Sequence, residues 1–470
     1  MSNKVIDNQI YGLKYNPLEV LTFNGEKVTN LNSKEGSLDN GNFTVITREK
    51  HDIDAGDMDI SVPNAYKDIT YPGSLLLVNS NLVDGTPQPL VTDRASINIT
   101  IDLPGLTENS KKIDNPNFAN VSTAVTELLE TWYDKGYATP SNIQLKSSLV
   151  YDEKQLQITL DCDVSFLKQK LGIDFKAITS NKKSAYLVQY KQLYYTVSAE
   201  LPKHPSDVFS DTVTWDELAT KGIDSKNPPA IVENVQYGRQ IYLFFESEMS
   251  QNQLEAKLRG NISKNGVNVD MHSDTSSSSN NQSITCKIIV LGGGIVTLPT
   301  GNIDDKGYLE QLNKIITTNP ELSKSNPAYP LSYKTAFLKD NAPGKVSGTS
   351  SYVVTNSETF SKGNLILEHK GAYVASFHVD WEEINYVNGA VNSVHNSWPQ
   401  NGKNLTAPFS TTIPLPGNAR NINIKAEGAT GLLWERWRTS VNEKNLAMVP
   451  LRTVKIWGTT LSQKSSVDPR

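Results

Sequence analysis

The residues of this chain that could do chemistry are its histidines, its cysteines and a cluster of tryptophans and arginines near the C-terminus. The six histidines are dispersed, and their spacing matches neither a metal site nor a catalytic triad. The glycines at 292–294 follow an apolar strand but lack the Lys-Ser/Thr of a phosphate-binding loop. We therefore expect no enzyme, no metal and no cofactor.

The two cysteines, Cys162 and Cys286, are too few for a disulfide scaffold and have no metal-ligand spacing. One lies in each of two alternating segments described below, so a disulfide between them would tether those segments. The alternative is that both act as small apolar residues on alternating strands.

The tryptophan cluster is the stretch Gly428-Ala-Thr-Gly-Leu-Leu-Trp-Glu-Arg-Trp-Arg438. Indole rings prefer the membrane–water interface, where an apolar body and a polar N–H are both satisfied. Arginine side chains can extend toward lipid headgroups from the same loop. This combination indicates a loop that contacts a membrane surface.

The bulk composition limits the class of protein. A chain of 470 residues is too long for one hydrophobic core, and its net charge of −5 with scattered Lys and Arg disfavours nucleic acid as a partner. No stretch approaches the about 20 apolar residues of a spanning helix. Residues 1–17 contain no signal-peptide core. We expect a protein that is made soluble and could enter a bilayer only as a closed β-barrel.

Coarse patterning predicts an α+β fold rich in strands. Short apolar runs between turns predict strands through most of the chain, and helical periodicity predicts helices over 121–133 and 306–316. Five of the seven tryptophans lie beyond residue 360. There we expect a C-terminal β-sandwich of roughly 110 residues.

Two middle segments alternate apolar and polar residues around polar tips. Each could form a long amphipathic hairpin, since about 9–11 residues per strand span a bilayer. The alternative is ordinary half-buried strands, and residues 256–262 fit a helix nearly as well. The apolar positions include Leu156, Ile158, Leu160, Phe166, Leu171, Ile173, Phe175, Tyr186 and Val188 in the first segment, and Val267, Val269, Ile284 and Ile288 in the second.

The tryptophan cluster resembles the undecapeptide of the cholesterol-dependent cytolysins, whose common form is ECTGLAWEWWR. Residues 456–461 resemble the last strand of that family, with its cholesterol-recognition pair at Thr460 and Leu461. Further landmarks, such as Tyr71-Pro-Gly73 and residues 332–338, follow the family's order along the whole chain. The matching undecapeptide positions are Thr430, Gly431, Leu432, Trp434, Glu435, Trp437 and Arg438.

The resemblance implies an elongated, β-rich α+β multidomain fold, with helical bundles around a central twisted sheet and a C-terminal β-sandwich. The expected domains are a discontinuous first domain (1–21, 58–150, 198–245 and 320–343), a β connector (22–57 and 344–360), a pore-forming domain (151–197 and 246–319) and a membrane-binding sandwich (361–470).

In function, the resemblance implies a secreted or released toxin that binds cholesterol in a host membrane, assembles into a large homo-oligomeric ring and inserts a β-barrel. The two alternating segments would be helical in the soluble monomer and refold into hairpins, with Gly292 and Gly293 as a hinge. Residues 388–392 and 415–419 would form further membrane-facing tips. The alternatives are a member that targets CD59 or a glycan, and a non-lytic adhesin.

Four undecapeptide positions depart from the common form: Gly428, Ala429, Leu433 and Arg436 replace Glu, Cys, Ala and Trp. Because the family's cysteine is absent, we expect no reductant dependence through this position. An arginine in place of an indole should make insertion shallower and more dependent on headgroups.

The start of the undecapeptide is closer to a branch of the family that uses CD59 as its receptor. That branch pairs its CD59 site with Tyr-x-Tyr and a later Arg-Ser. Here the corresponding stretch is Val379-Asp-Trp381, and no Arg-Ser follows at that distance. The sequence therefore favours cholesterol alone.

Overall fold

The computed structural model describes residues 3–24, 33–58, 60–136, 142–180, 182–259, 261–263, 266–268, 283–293, 300–317, 321–387 and 389–469. The chain forms two compact units, the first from Met1–Val28 and His51–Tyr352 and the second from Thr29–Lys50 and Val353–Arg470. The four-domain division stays a prediction. Val269, a predicted pore-segment residue, lies outside the described residues.

The helices of the described residues all belong to the first unit. Those at 118–134 and 306–317 confirm the two helices predicted from periodicity. Two short 3₁₀ helices are Asn64–Tyr66 and Pro205–Val208. The α-helices are α1 (Lys4–Tyr11), α2 (Pro17–Val20), α3 (Ser80–Val83), α4 (Phe118–Asp134), α5 (Glu153–Leu160), α6 (Val164–Leu171), α7 (Phe175–Thr179), α8 (Trp215–Thr220), α9 (Gln251–Arg259) and α10 (Lys306–Thr317).

Strands dominate the rest of the described chain. They are β1 (Thr22–Asn24), β2 (Ser33–Asp39), β3 (Asn42–Met58), β4 (Ile60–Ser61), β5 (Leu75–Leu77), β6 (Gln88–Pro89), β7 (Ile97–Ile101), β8 (Ser110–Ile113), β9 (Asn142–Val150), β10 (Ser184–Ala199), β11 (Pro229–Ser247), β12 (Ile262–Ser263), β13 (Gly266–Val267), β14 (Thr285–Leu291), β15 (Gly301–Asn302), β16 (Tyr329–Phe337), β17 (Val346–Phe360), β18 (Gly363–His369), β19 (Ala375–Val387), β20 (Ala390–Ser397), β21 (Phe409–Leu415), β22 (Ala419–Ala429), β23 (Trp437–Leu446), β24 (Leu451–Gly458) and β25 (Gln463–Asp468).

An eleven-stranded sheet lies at the centre of the first unit. Its main path is β15-β14-β11-β10-β7-β8, and β9 pairs with β10 as well. Successive side chains of a strand point to opposite faces, so this sheet builds a separate core on each face. Tyr186 and Val188 of β10 belong to one core, while Ala185 and Leu187 belong to the other.

Four adjacent strands of this sheet end along one row. Val150 of β9 pairs with Ala185 of β10, which pairs on its other side with Glu246 of β11. Glu246 in turn pairs with Thr285 of β14. Both alternating segments leave the sheet from this row, because residues 151–183 join β9 to β10 and residues 248–284 join β11 to β14.

The first alternating segment is helical over most of residues 153–179, as the resemblance implied, but Tyr186 and Val188 lie in strand β10, so the helical expectation is wrong for its last part. Its three helices α5, α6 and α7 each begin at an aspartate whose carboxylate accepts a backbone N–H: Asp152, Asp163 and Asp174. Such N-caps contribute about 1 kcal/mol each. Asp161 and Gly172 adopt left-handed backbone after α5 and α6, and the helices bury their apolar faces on the sheet.

The second alternating segment is only partly helical, so the expectation of a helical segment is wrong for part of it. Residues 251–259 form α9, and Val267 lies in the two-residue strand β13. Ile288 lies within β14 and Ile284 directly precedes it, both buried against the sheet core. This part is extended because it pairs along its length with β11.

Both cysteines are free and buried, on opposite faces of the central sheet. Cys162 packs with the helices α5–α7, and Cys286 packs under α10. Burial raises the pKa of the Cys286 thiol to about 12, and it also raises the pKa of Cys162. The structure therefore supports their interpretation as apolar core residues and contradicts a tether in this state.

The second unit contains the predicted β-sandwich. One sheet has the order β21-β18-β24-β25 and the other β20-β19-β22-β23. Along β19, Phe377, Val379 and Trp381 point inward and are buried between the sheets. The alternation of inward apolar and outward polar residues is what a two-layer sandwich requires.

Candidate functional site

Seven of the eleven residues of the tryptophan cluster form a loop between two paired strands of the sandwich. Ala429 of β22 pairs with Trp437 of β23, and residues 430–436 connect them. Thr430 is 3% exposed and closes the loop. Its backbone N–H donates to Arg436 O over 3.2 Å, and its hydroxyl donates to Glu435 O. One buried threonine thus fixes the shape of the loop.

Apolar side chains stand at the apex of this loop. Leu433 is 89% exposed and Trp434 is 82% exposed. Gly431 has a φ of +76°, a left-handed conformation that favours glycine. Large apolar side chains held in water by a structured loop mark a surface that binds something apolar.

Arg438 joins the tryptophan loop to the predicted sterol pair. Its guanidinium makes two hydrogen bonds to the Glu435 carboxylate, of 2.9 and 2.6 Å, and a third of 2.9 Å to Leu461 O. The hydrogen bond from Arg438 lowers the pKa of Glu435, so this carboxylate stays charged and the pairing persists. Two elements that lie more than twenty residues apart become one surface.

The predicted sterol pair lies in a tight turn after β24. The turn closes through Ser462 N–H donating to Thr459 O and Thr459 N–H donating to Ser462 O, both over 3.1 Å. Leu461 is 61% exposed, and Thr460 is half-buried. The Thr460 hydroxyl makes no hydrogen bond with any described residue, so it can serve a ligand hydroxyl.

Gly428 stands where the family's undecapeptide has glutamate, and neighbouring side chains occupy the space that a side chain would need. A Cβ at this position would lie 2.6 Å from Gln463 Oε1 and 2.6 Å from Tyr373 Cε2. Gln463 in turn donates from Nε2 to Thr460 O over 3.3 Å. The missing side chain therefore allows Gln463 to brace the turn at residues 459–462 against the tryptophan loop.

Tyr373 is itself held by a buried histidine. His369 Nε2 lies 2.7 Å from Tyr373 O, and Gly371 N–H donates to His369 Nδ1 over 3.3 Å. Because Nδ1 accepts, the ring is neutral and Nε2 is its donor. Burial lowers the pKa of His369 below its usual 6.5, although the hydrogen bond to Tyr373 opposes this effect.

Acidification should therefore destabilise the second unit through His369. Between the folded pKa and the unfolded pKa of about 6.5, the unfolded chain binds more protons, so stability falls as the pH falls. Denaturant unfolding followed by tryptophan fluorescence should show a lower free energy of unfolding at pH 5 than at pH 7. His369→Gln should flatten this dependence, whereas His395→Gln, which removes an exposed histidine, should not. An unchanged slope in His369→Gln would contradict the assignment.

The two further loops expected at the membrane tip are elsewhere, so that prediction is wrong. Ala375 of β19 pairs with Gly428, beside the tryptophan loop, whereas Glu383 pairs with Ala419. Residues 415–419, and the described residues 389–392, thus lie at the opposite end of this sheet. Sequence reasoning missed the segments 370–374 and 399–408, which reach the tryptophan end. The turn residues in these segments predict loops, but they do not predict at which end of the sheet each loop lies.

The predicted hinge glycines follow β14. Gly292 and Gly293 have φ values of +80° and +75°. A Cβ at Gly292 would lie 2.5 Å from Gly238 O, so neither the backbone nor the space admits another residue there. A hinge role for the pair stays a prediction.

The described helices include none that is long and apolar enough to cross a membrane. Over the same residues, His, Cys, Asp and Glu side chains form no group of three or more that could hold a metal ion.

Comparison with known proteins identifies the class. A family profile described as thiol-activated cytolysin matches residues 5–360, and one described as thiol-activated cytolysin beta sandwich domain matches residues 364–464. The chain is 40% identical to tetanolysin of Clostridium tetani over 470 residues, covering 99% of this chain and 88% of tetanolysin.

Solved structures agree with this match. A crystal structure described as a Gram-negative toxin has a TM-score of 0.84 to this chain at 45% identity, covering 99% of each. A disulfide-locked intermedilysin solved with human CD59 has a TM-score of 0.76 at 33% identity, covering 99% of this chain and 98% of intermedilysin.

The chain belongs to the thiol-activated cytolysins, a family of cholesterol-dependent pore-forming toxins. The family assignment and the β-rich α+β fold with a C-terminal sandwich, both expected from the sequence, are confirmed.

Proposed function

We propose that this cytolysin binds cholesterol-containing membranes as a monomer through one surface of its sandwich, then assembles and forms a pore. The observation that carries the binding step is the joining of the Trp434 loop to the Thr460–Leu461 turn by Arg438. The free Thr460 hydroxyl would bond the sterol 3-OH while Leu461 covers the ring edge. Leu433 and Trp434 would enter the interface beside it.

Assembly would use the edges of the central sheet. Among the described strands, the outer edge of β14 pairs only with β15, through two residue pairs. On the other side of the four-strand row, β9 pairs with β10 alone among the described strands. Uncovered strand edges are templates for pairing with another chain. Pairing of β14 from one copy with β9 from the next is heterologous, and such contacts generate rings when the rotation closes.

Pore formation would extend the row of four strands. If residues 151–183 became extended, they would lengthen β9 and β10 as one hairpin, since Val150 and Ala185 are already paired. Residues 248–284 would lengthen β11 and β14 in the same way from Glu246 and Thr285. Each linker is long enough for two arms of the about 9–11 residues that span a bilayer. A ring of such hairpins closes a β-barrel, with Gly292 and Gly293 as the bend.

The test is dye release from phosphatidylcholine liposomes with and without cholesterol. We expect binding and release only with the sterol. Binding without release would favour a non-lytic adhesin, and release that is indifferent to sterol would exclude cholesterol dependence. Repeating the assay on erythrocytes from several species separates the CD59 alternative, because a CD59-targeted member would lyse only matching cells. A glycan-targeted member would be inhibited by the soluble sugar.

A further inference from the structure

Arg436 carries a charge that no described residue neutralises. Its neighbour Arg438 is paired with Glu435 through two hydrogen bonds. The Arg436 side chain is exposed and makes no hydrogen bond or ion pair within the described chain. The loop therefore presents one uncompensated positive charge beside its apolar side chains.

The backbone that carries this charge is fixed. Arg436 O accepts the hydrogen bond from Thr430 N–H over 3.2 Å, and the next residue, Trp437, pairs with Ala429 in the sheet. The guanidinium thus starts from a defined position at the base of the loop, and only its side-chain torsions are free. A fixed origin lowers the entropy cost of binding a ligand there.

The depth of Arg436 in the membrane follows from its short distance along the chain from Trp434. Arg436 lies two residues after Trp434, so at most about 7 Å of chain separates their Cα atoms. An indole at the membrane–water interface places Arg436 at headgroup level. A guanidinium that loses water without gaining an anion is strongly unfavourable, so the charge needs an anionic partner at that depth.

We propose that Arg436 binds the phosphodiester of a phospholipid headgroup, so that the tip recognises a sterol and a phospholipid together. A planar guanidinium matches two phosphate oxygens in a bidentate manner, and the pairing is charge-assisted. This inference rests on the proposed membrane binding through the same loop. It assigns a specific ligand to the residue that replaces the second of the three tryptophans in the family's undecapeptide.

The experiment compares two sterol surfaces. Binding of the full chain is measured on phospholipid-free cholesterol films and on cholesterol–phosphatidylcholine vesicles, at low and high salt. Arg436→Gln should match the unmodified protein on the film and bind the vesicles roughly five-fold more weakly. Vesicle binding of the unmodified protein should fall with salt more steeply than that of Arg436→Gln. Lys444→Gln removes an exposed charge from the far end of β23 and should change neither.

Three results would overturn the proposal. Equal weakening of Arg436→Gln on film and vesicles would show that the residue only shapes the loop. Equal vesicle binding by Arg436→Gln and the unmodified protein would show that no phosphate is bound. Stronger binding of the unmodified protein to the film when inorganic phosphate is added would assign the site to a free anion. Binding of the unmodified protein to sterol-free vesicles would refute the proposed cholesterol dependence instead. The comparison of Arg436→Gln with the unmodified protein would still test phosphate binding.

Discussion

A variant in which Thr460 and Leu461 are both alanine is expected to bind cholesterol-containing vesicles about 100-fold more weakly. Withdrawing one leucine side chain from water is worth about 1.5–3 kcal/mol, and one hydrogen bond adds about 0.5–1.5 kcal/mol. Their sum, about 2–4.5 kcal/mol, spans roughly 30-fold to 2000-fold in affinity. Vesicle flotation with and without cholesterol measures the effect, and haemolysis should fall in parallel.

The control is a leucine on β24, the strand that leads into this turn. Leu451 opens β24 at the end remote from the turn and is 52% exposed, so Leu451→Ala removes the same surface without touching the site. It should bind and lyse normally. Because both changed residues lie in an exposed turn, melting temperatures should stay within a few degrees. Normal sterol-dependent binding by Thr460→Ala/Leu461→Ala would contradict the assignment of these residues to the sterol.

The tip shows what sequence can and cannot predict. The tryptophan stretch and the Thr-Leu pair were both found by resemblance, but nothing local indicates that they touch. Their contact depends on the register of β22 with β23 and of β24 with β25, and on Arg438 spanning the gap. The prediction of membrane-facing tips at 388–392 and 415–419 is wrong for the same reason. The residue pattern of a loop does not indicate at which end of a sheet the loop lies.

In the first alternating segment, the apolar pattern and the helix-capping residues predict different structures. Period-two alternation predicts strands, but it does not include the capping signals that decide the soluble form. Asp152, Asp163 and Asp174 recur every eleven residues, and each caps one short helix. These aspartates were visible in the sequence and would have favoured helices. Several apolar residues satisfy both structures, since Leu156, Leu160 and Val164 face the sheet core in α5 and α6 and also share one face of an extended strand.

Replacing Phe166 with arginine is expected to abolish most pore formation while leaving membrane binding intact. Phe166 is half-buried in α6 and borders the core under α5–α7, and in the alternating pattern it shares the apolar face with Leu156 and Leu160. In a hairpin that face meets lipid. An arginine facing lipid near the bilayer midplane costs about 2–4 kcal/mol, and every copy in the ring incurs it. Dye release should fall at least about 100-fold at equal bound protein.

Ser165 provides the matched control for this prediction. It is the adjacent residue, exposed on α6, and it lies on the polar face that would line the water-filled lumen. Ser165→Arg adds the same side chain and charge one position away and should release dye within a few-fold of the unmodified protein. Thermal melting of both variants checks that α6 still packs on the sheet, because replacing Phe166 removes part of a core contact. Equal loss of release in the two variants would mean that residues 164–171 do not insert as an alternating strand, because only a period-two structure separates neighbouring residues so sharply.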